Sequence, residues 1–222
     1  MKKWICLLAA FLLMPILALA EMDVSSMTDD ELLAIRLQIN EELASRNTMP
    51  EIPEGTTIAD LFPDHYMAMK VRDEVGAIST KDPVTQEDLD RVERLDVSGY
   101  SDGASELKEL TGIGYLTNLD YLSVYDQPGF SDIPDEIANC VRLRRIDFRR
   151  TGIKTLPASF CNLPGLQYLD MANSALEALP DDIGNLTLLK ELDISGTKVT
   201  ALPASIRSLS LEKFLRDGLD LD

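Results

Sequence analysis

Pro134, Pro157, Pro180 and Pro203 stand 23 residues apart without a slip, and each brings its neighbours with it. Ile133, Leu156, Leu179 or Leu202 precedes the proline, and Ile137, Phe160, Ile183 or Ile206 follows it by three residues. Cys140, Leu163, Leu186 and Leu209 form the next column, then Leu143, Leu166, Leu189 and, one residue early, Leu211. Each of the first three repeats then alternates apolar and polar through Ile146/Phe148, Leu169/Met171 or Leu192/Ile194, the pattern of a short half-buried strand. A fixed period of this size restricts the fold to a stacked array. One 23-residue unit cannot bury its apolar face alone, whereas stacked units merge those faces into one core and pair their strands in parallel. Proline has no N–H to donate, so its column belongs on the irregular return path and not in the sheet. The expected fold class is α/β, a curved solenoid with a parallel sheet on its concave face.

Two earlier units are degenerate but legible, one from Leu119-x-x-Leu122-x-Val124 and the first from Val92-x-x-Leu95-x-Val97. The shared motif, L-x-x-L-x-L-x-x-[T/S]-x-[I/L]-x-x-L-P-x-x-[I/F]-x-x-L, resembles that of leucine-rich repeats, in particular the bacterial and plant kind with Leu-Pro on the return path. Thr151, Ser174 and Thr197 stand where such repeats usually carry the Asn that ends the strand. A hydroxyl still bonds the backbone of a turn.

Ahead of the repeats, Asp64 is placed to cap a helix from Tyr66 to Val75, stopped by Gly76, and Thr85-x-x-Asp88 to cap a second short turn. This stretch, with the "LKELTGIGYLTNLDYLSV" that follows, resembles the helical N-terminal cap and first repeats of internalin-like proteins exported by Gram-positive bacteria. The resemblance implies a helical cap over residues 58–91 and a solenoid of five to six repeats over 92–222. It implies little about function, because such repeats bind many unrelated things. Residues 50–57 read as a linker. Thr28-x-x-Glu31 has capping-box form and opens an amphipathic stripe of Leu32, Ile35, Ile39 and Leu43, so residues 21–49 read as a helical appendage.

The first twenty residues read as an export signal. Met1-Lys2-Lys3 is a cationic head, Trp4 to Leu19 is apolar but for Pro15, and Ala18-Leu19-Ala20 offers the small residues a signal peptidase accepts. Cleavage after Ala20 would leave a secreted protein with no membrane insertion. The chain carries a net charge of −17, and the only charged side chains of the signal are the basic Lys2 and Lys3, so the mature form is more acidic still. A surface of that sign repels nucleic acid and anionic membrane. Cys140 occupies a leucine column and should be buried; Cys161, one residue past the Phe160 column, should face out, and whether the two bridge stays open.

His65 is the lone histidine and lies beside a helix cap, where a surface role is expected, so no histidine cluster can hold a metal. Neither a phosphate-binding glycine loop nor a nucleophile motif is visible. The expectation is a non-enzyme without cofactor or metal.

The concave face is left to carry function. The outward positions there, taken strand by strand, are Arg94, Asp96, Ser98; Tyr121, Ser123, Tyr125; Arg145, Asp147, Arg149; Tyr168, Asp170, Ala172; Glu191, Asp193, Ser195; and Lys213, Leu215, Asp217. Tyr and Arg carry much of the binding energy at protein interfaces. Tyr121, Tyr125, Arg145, Arg149 and Tyr168, with Asp147 and Asp170 of the adjacent acidic column, are therefore the candidate ligand-binding residues. Both arginines are expected to point to solvent and to be free to take an acidic group. The expected partner is an extracellular protein or a glycan, bound by a monomer. The alternative is a self-assembling wall or matrix component.

Overall fold

The computed structural model describes residues 50–99 and 106–217. The export signal and the amphipathic stripe from Thr28 lie outside the described residues.

Six three-residue strands make one parallel sheet in the order of the chain: β1 (Arg94–Asp96), β2 (Tyr121–Ser123), β3 (Arg145–Asp147), β4 (Tyr168–Asp170), β5 (Glu191–Asp193) and β6 (Lys213–Leu215). The register follows the repeat without slippage. Leu95, Leu122, Ile146, Leu169 and Leu192 pair in succession, and all are essentially inaccessible to solvent. Their neighbours at either side point the other way, as strand geometry requires. Phe214 continues this row in β6 but is half-buried.

The chain leaves strands β2 to β5 through a residue in the left-handed region, Asp126, Arg150, Asn173 or Gly196. Asp, Asn and Gly adopt that conformation readily. In the slot after it, Thr151 Oγ1 donates to Phe148 O and Thr197 Oγ1 to Ile194 O, both at 2.7 Å. The hydroxyls thus fasten the turn in place of the usual Asn. The return path carries short 3-10 turns at Ile113–Tyr115, Asp135–Asn139, Ala158–Asn162, Ile183–Asn185 and Ala204–Ser208. Pro134, Pro157 and Pro203 sit immediately before three of them in extended conformation. Between sheet and return path runs the core, in which Phe130, Phe148 and Phe160 stack tilted with successive centroids 6.4 Å apart, a favourable aromatic separation.

The cap forms where its sequence signals stand. Helix α1 (Ile58–Leu61) starts in a capping box between Thr57 and Asp60. Helix α2 (His65–Val75) is capped by Asp64 and ends at Gly76 in left-handed conformation. Helix α3 (Gln86–Leu89) starts in a second capping box, between Thr85 and Asp88. Residues 53–57, read from sequence as linker, belong to this unit: Thr56 bonds back to Pro53, and Val84 N donates to Thr56 O at 2.9 Å. Asp64 and Tyr66 are among the side chains that bind cap to solenoid. Asp64 accepts from Met67 N with one oxygen and from Lys108 N with the other, both at 2.9 Å, and the buried Tyr66 hydroxyl donates to Ser98 O at 2.8 Å. Gly112 allows the close approach there: its φ is +90°, and a Cβ would lie 2.2 Å from Leu61 O.

Both described cysteines are free thiols. Cys140 is buried in its leucine column, as expected. Cys161 is buried as well, against the expectation that it faces out. In a solenoid a side chain has a third direction besides core and solvent, along the stack. The position after the Phe160 column points at the return path of the next repeat. Cys161 therefore lies under the turn containing Asp182, and at the equivalent Gly184 a Cβ would strike Ser205. Burial pushes the Cys161 thiol up to about 11, with the Asp182 charge adding to it.

Candidate functional site

The register gathers the outward side chains into three rows across the sheet. The first row is Arg94, Tyr121, Arg145, Tyr168, Glu191 and Lys213. The second is Asp96, Ser123, Asp147, Asp170, Asp193 and Leu215. The third, one step beyond the strands, holds Tyr125, Arg149 and Ala172. Strands β2 to β6 line an open hollow of about 280 Å³ that takes in Tyr121, Arg145, Arg149, Tyr168, Asp170 and Asp193. All seven residues singled out from the sequence thus share one sheet face, and six of them, all but Tyr125, line this hollow.

Their chemistry is less uniform than their position. The Arg145 guanidinium lies over the Tyr168 ring, 4.4 Å from its centroid, and Arg94 lies 4.2 Å over Tyr121 in the same way. Such stacks hold the planar cation by its face and leave its N–H edge free. Both arginines are exposed, and among the described residues neither has a carboxylate within ion-pair distance.

Arg149 is different, and the expectation that it stands free in solvent is corrected. Its Nε donates to Asp147 Oδ1 at 2.9 Å and a terminal nitrogen to Oδ2 at 2.6 Å, a two-pronged bond to a largely buried carboxylate. The same guanidinium lies 3.4 Å from Asp170 and 4.9 Å from the Tyr125 ring centroid. The hydrogen bonds to Asp147 hold its charge on more firmly than usual. Residues two apart on a strand share a face, so Arg149 folds back on its own strand neighbour and is spent internally.

The acidic column also has local duties. Asp96, Asp147, Asp170 and Asp193 each accept from the backbone N–H two residues on, at Ser98, Arg149, Ala172 and Ser195, over 2.9–3.1 Å. Each aspartate thereby pins the exit from its strand, an Asx-turn arrangement. Burial raises the proton affinity of Asp170 above the ordinary carboxylate range, and the nearby Asp193 and Asp147 charges add to this. Among the described residues no group of three or more His, Cys, Asp or Glu is arranged to hold a metal. His65 is exposed on α2, away from the sheet face.

The stacking of Arg on Tyr between adjacent strands was not foreseen, although its signal was present. Arg and Tyr alternate at one repeat position in four successive units.

Residues 44–90 match the family described as the N-terminal region of bacterial adhesion/invasion proteins, the internalin N-terminal module. The chain has an internalin-like leucine-rich-repeat fold. Three solved structures from Listeria monocytogenes show the likeness. Internalin C2 is 23% identical with a TM-score of 0.50, over 76% of this chain and 80% of its own. The secreted internalin-like protein Lmo2445 is 19% identical at 0.55, over 76% and 68%. The functional domain of InlJ is 21% identical at 0.54, over 79% of this chain but only 41% of its own length. No match is found among curated protein sequences. At these identities the structures establish the fold.

Proposed function

We propose that the protein is a secreted, non-enzymatic recognition module that binds a protein ligand through the inner face of its sheet. The observation that carries this reading is the Arg145–Tyr168 stack, an exposed cation without an acidic partner among the described residues, at the centre of an open hollow. Tyr121 and Tyr168 flank Arg145 on the neighbouring strands and offer large rigid contact area at small entropic cost. The adhesion and invasion description of the matched N-terminal family and the secreted Lmo2445 protein support an extracellular setting. The net charge of −17 repels acidic partners at long range, so the fitting ligand is neutral or basic overall with a local acidic group.

The test is capture of extracellular proteins and glycans on the mature chain, followed by titration of what is recovered. Arg145→Ala and Tyr168→Ala should each weaken binding by more than about 1 kcal/mol, the threshold of a contributing interface residue. Lys108→Ala, off the inner face, is the control. Equal affinity for all three would retire the inner face as the site.

Self-assembly is supported by one feature. Among the described residues β6 pairs only with β5, and Leu215 on it is 40% exposed beside the half-buried Phe214 and Leu211. An unpaired edge is a template for another strand. Sedimentation of the chain over a range of concentrations decides: a single monomeric species refutes assembly, and concentration-dependent oligomers support it.

A further inference from the structure

The stacked pairs on the inner face recur with a spacing of their own. Arg94 on β1 lies over Tyr121 on β2, and Arg145 on β3 lies over Tyr168 on β4. The unit is one cation per two strands. Neighbouring strands are about 4.8 Å apart, so the two guanidinium groups stand ~9–10 Å apart along the stack. Among the described residues neither has a carboxylate within ion-pair distance, so the N–H groups of each remain for a carboxylate to take in two-pronged fashion. Arg149 is set apart from them, because its Nε and one terminal nitrogen are already bound to Asp147 in two-pronged fashion.

A polyproline II helix rises about 3.1 Å per residue with three residues per turn, so its residues i and i+3 lie on one side ~9.3 Å apart. That repeat matches the spacing of Arg94 and Arg145. We infer that the inner face clamps an extended, polyproline II-like peptide lying along the stack, with two acidic side chains at i and i+3 bound by Arg94 and Arg145. This rests on the reading of the inner face as a recognition surface and names the chemistry it selects. Tyr121 fills the gap between the two cations and offers its half-buried ring to the intervening residues. The pattern ends at two. The next position at the same interval is Glu191, with Lys213 as its ion-pair neighbour at 3.8 Å. An acid at i+6 would face a carboxylate, and a basic residue there would be accepted.

The experiment uses the whole chain and blocked synthetic proline peptides bearing two glutamates, measured by fluorescence anisotropy at about 0.15 M salt, where charges more than ~8 Å apart are screened. The i,i+3 peptide should bind at least about tenfold more tightly than its glutamine counterpart and than the i,i+2 and i,i+4 isomers. Arg94→Gln and Arg145→Gln should each abolish that spacing preference, while Lys108→Gln keeps it. A third glutamate at i+6 should weaken binding, and a lysine there should not.

Indistinguishable spacing isomers, absence of binding by any peptide, or a preference that survives loss of either arginine would each overturn the clamp. The inner-face reading is judged separately. A captured extracellular partner that loses affinity with Tyr168→Ala, while the peptides show no spacing preference, would leave the recognition surface standing and remove the clamp.

Discussion

Leu169→Ala is the sharpest test of how the repeats are stacked. Leu169 is 2% exposed in β4 and is paired between Ile146 on β3 and Leu192 on β5, themselves buried. Truncation removes about three carbon groups at ~0.8 kcal/mol each, or roughly 2.4 kcal/mol of transfer free energy. The space left cannot close easily, because the residues around it sit on strands hydrogen-bonded on both sides. A cavity contribution should therefore bring the total to about 3–4 kcal/mol, within the range for buried leucines. For a folded unit of this size that is a fall in Tm of very roughly 6–16 °C. Leu211→Ala provides the contrast. Leu211 is only half-buried in the last described repeat, whose strand pairs with one described strand instead of two. Its cost should be about 1–2 kcal/mol, scaled to the smaller area it hides. Urea unfolding followed by far-UV circular dichroism gives both values. A Leu169→Ala midpoint equal to wild type, or a Leu211→Ala loss as large as that of Leu169→Ala, would refute the stacking phase and the nearest-neighbour argument.

Arg149→Ala should destabilise the fold by about 1–3 kcal/mol, because it strips the partner from the mostly buried Asp147 carboxylate, while Arg145→Ala should stay within about 0.5 kcal/mol; urea midpoints distinguish them, and equal losses would refute the division of roles. Cys140 and Cys161 should resist a thiol reagent in the native chain at pH 8, since both are buried and the Cys161 thiol titrates only near about 11, and both should react once urea is added; fast native labelling would contradict the burial. The Asp170 carboxyl binds its proton more tightly folded than unfolded, so it contributes stability that is present below its unfolded value of about 3.9 and lost as pH rises through the higher folded value. Asp170→Asn, whose side-chain oxygen can still accept from Ala172 N, should therefore gain on wild type at pH 7, with the gap closing as pH falls through that window; a gap independent of pH would refute it.

The repeat phase was readable because the proline column and the apolar columns repeat one physical requirement in every unit, and the structure keeps the same register from Leu95 to Leu192. The cap was readable for a local reason. Asp64 with Gly76, and Thr85 with Asp88, state the ends of a helix within a few residues of chain. What escaped were contacts whose partners lie far apart in sequence, such as Asp64 with Lys108 and Tyr66 with Ser98. Cys161 escaped for another reason: strand-like alternation admits only inside and outside, whereas a stacked coil also has an up and a down. The clue stood in its column. Ala138, Cys161 and Gly184 are all small, and Arg207, exposed in the last described repeat, is the first large residue at that position.

The inner face shows the same division between what a pattern reveals and what only geometry decides. Alternation placed Arg145 and Arg149 together as equivalents, four residues apart on one face. Their strand neighbours separate them. Asp147 lies within reach of Arg149 and, through the bond from Arg149 N, is already turned towards the strand exit, so a second pair of bonds to the guanidinium follows at little further ordering. Arg145 has an aromatic ring beside it instead, and a ring holds a cation without consuming its hydrogen-bond donors. The availability of a charge on this surface is therefore set by whether its neighbour is a carboxylate or a tyrosine. By that criterion Arg94 and Arg145 are the two cations of the stacked row left open to a ligand, and Arg149 is a brace for the strand that carries one of them.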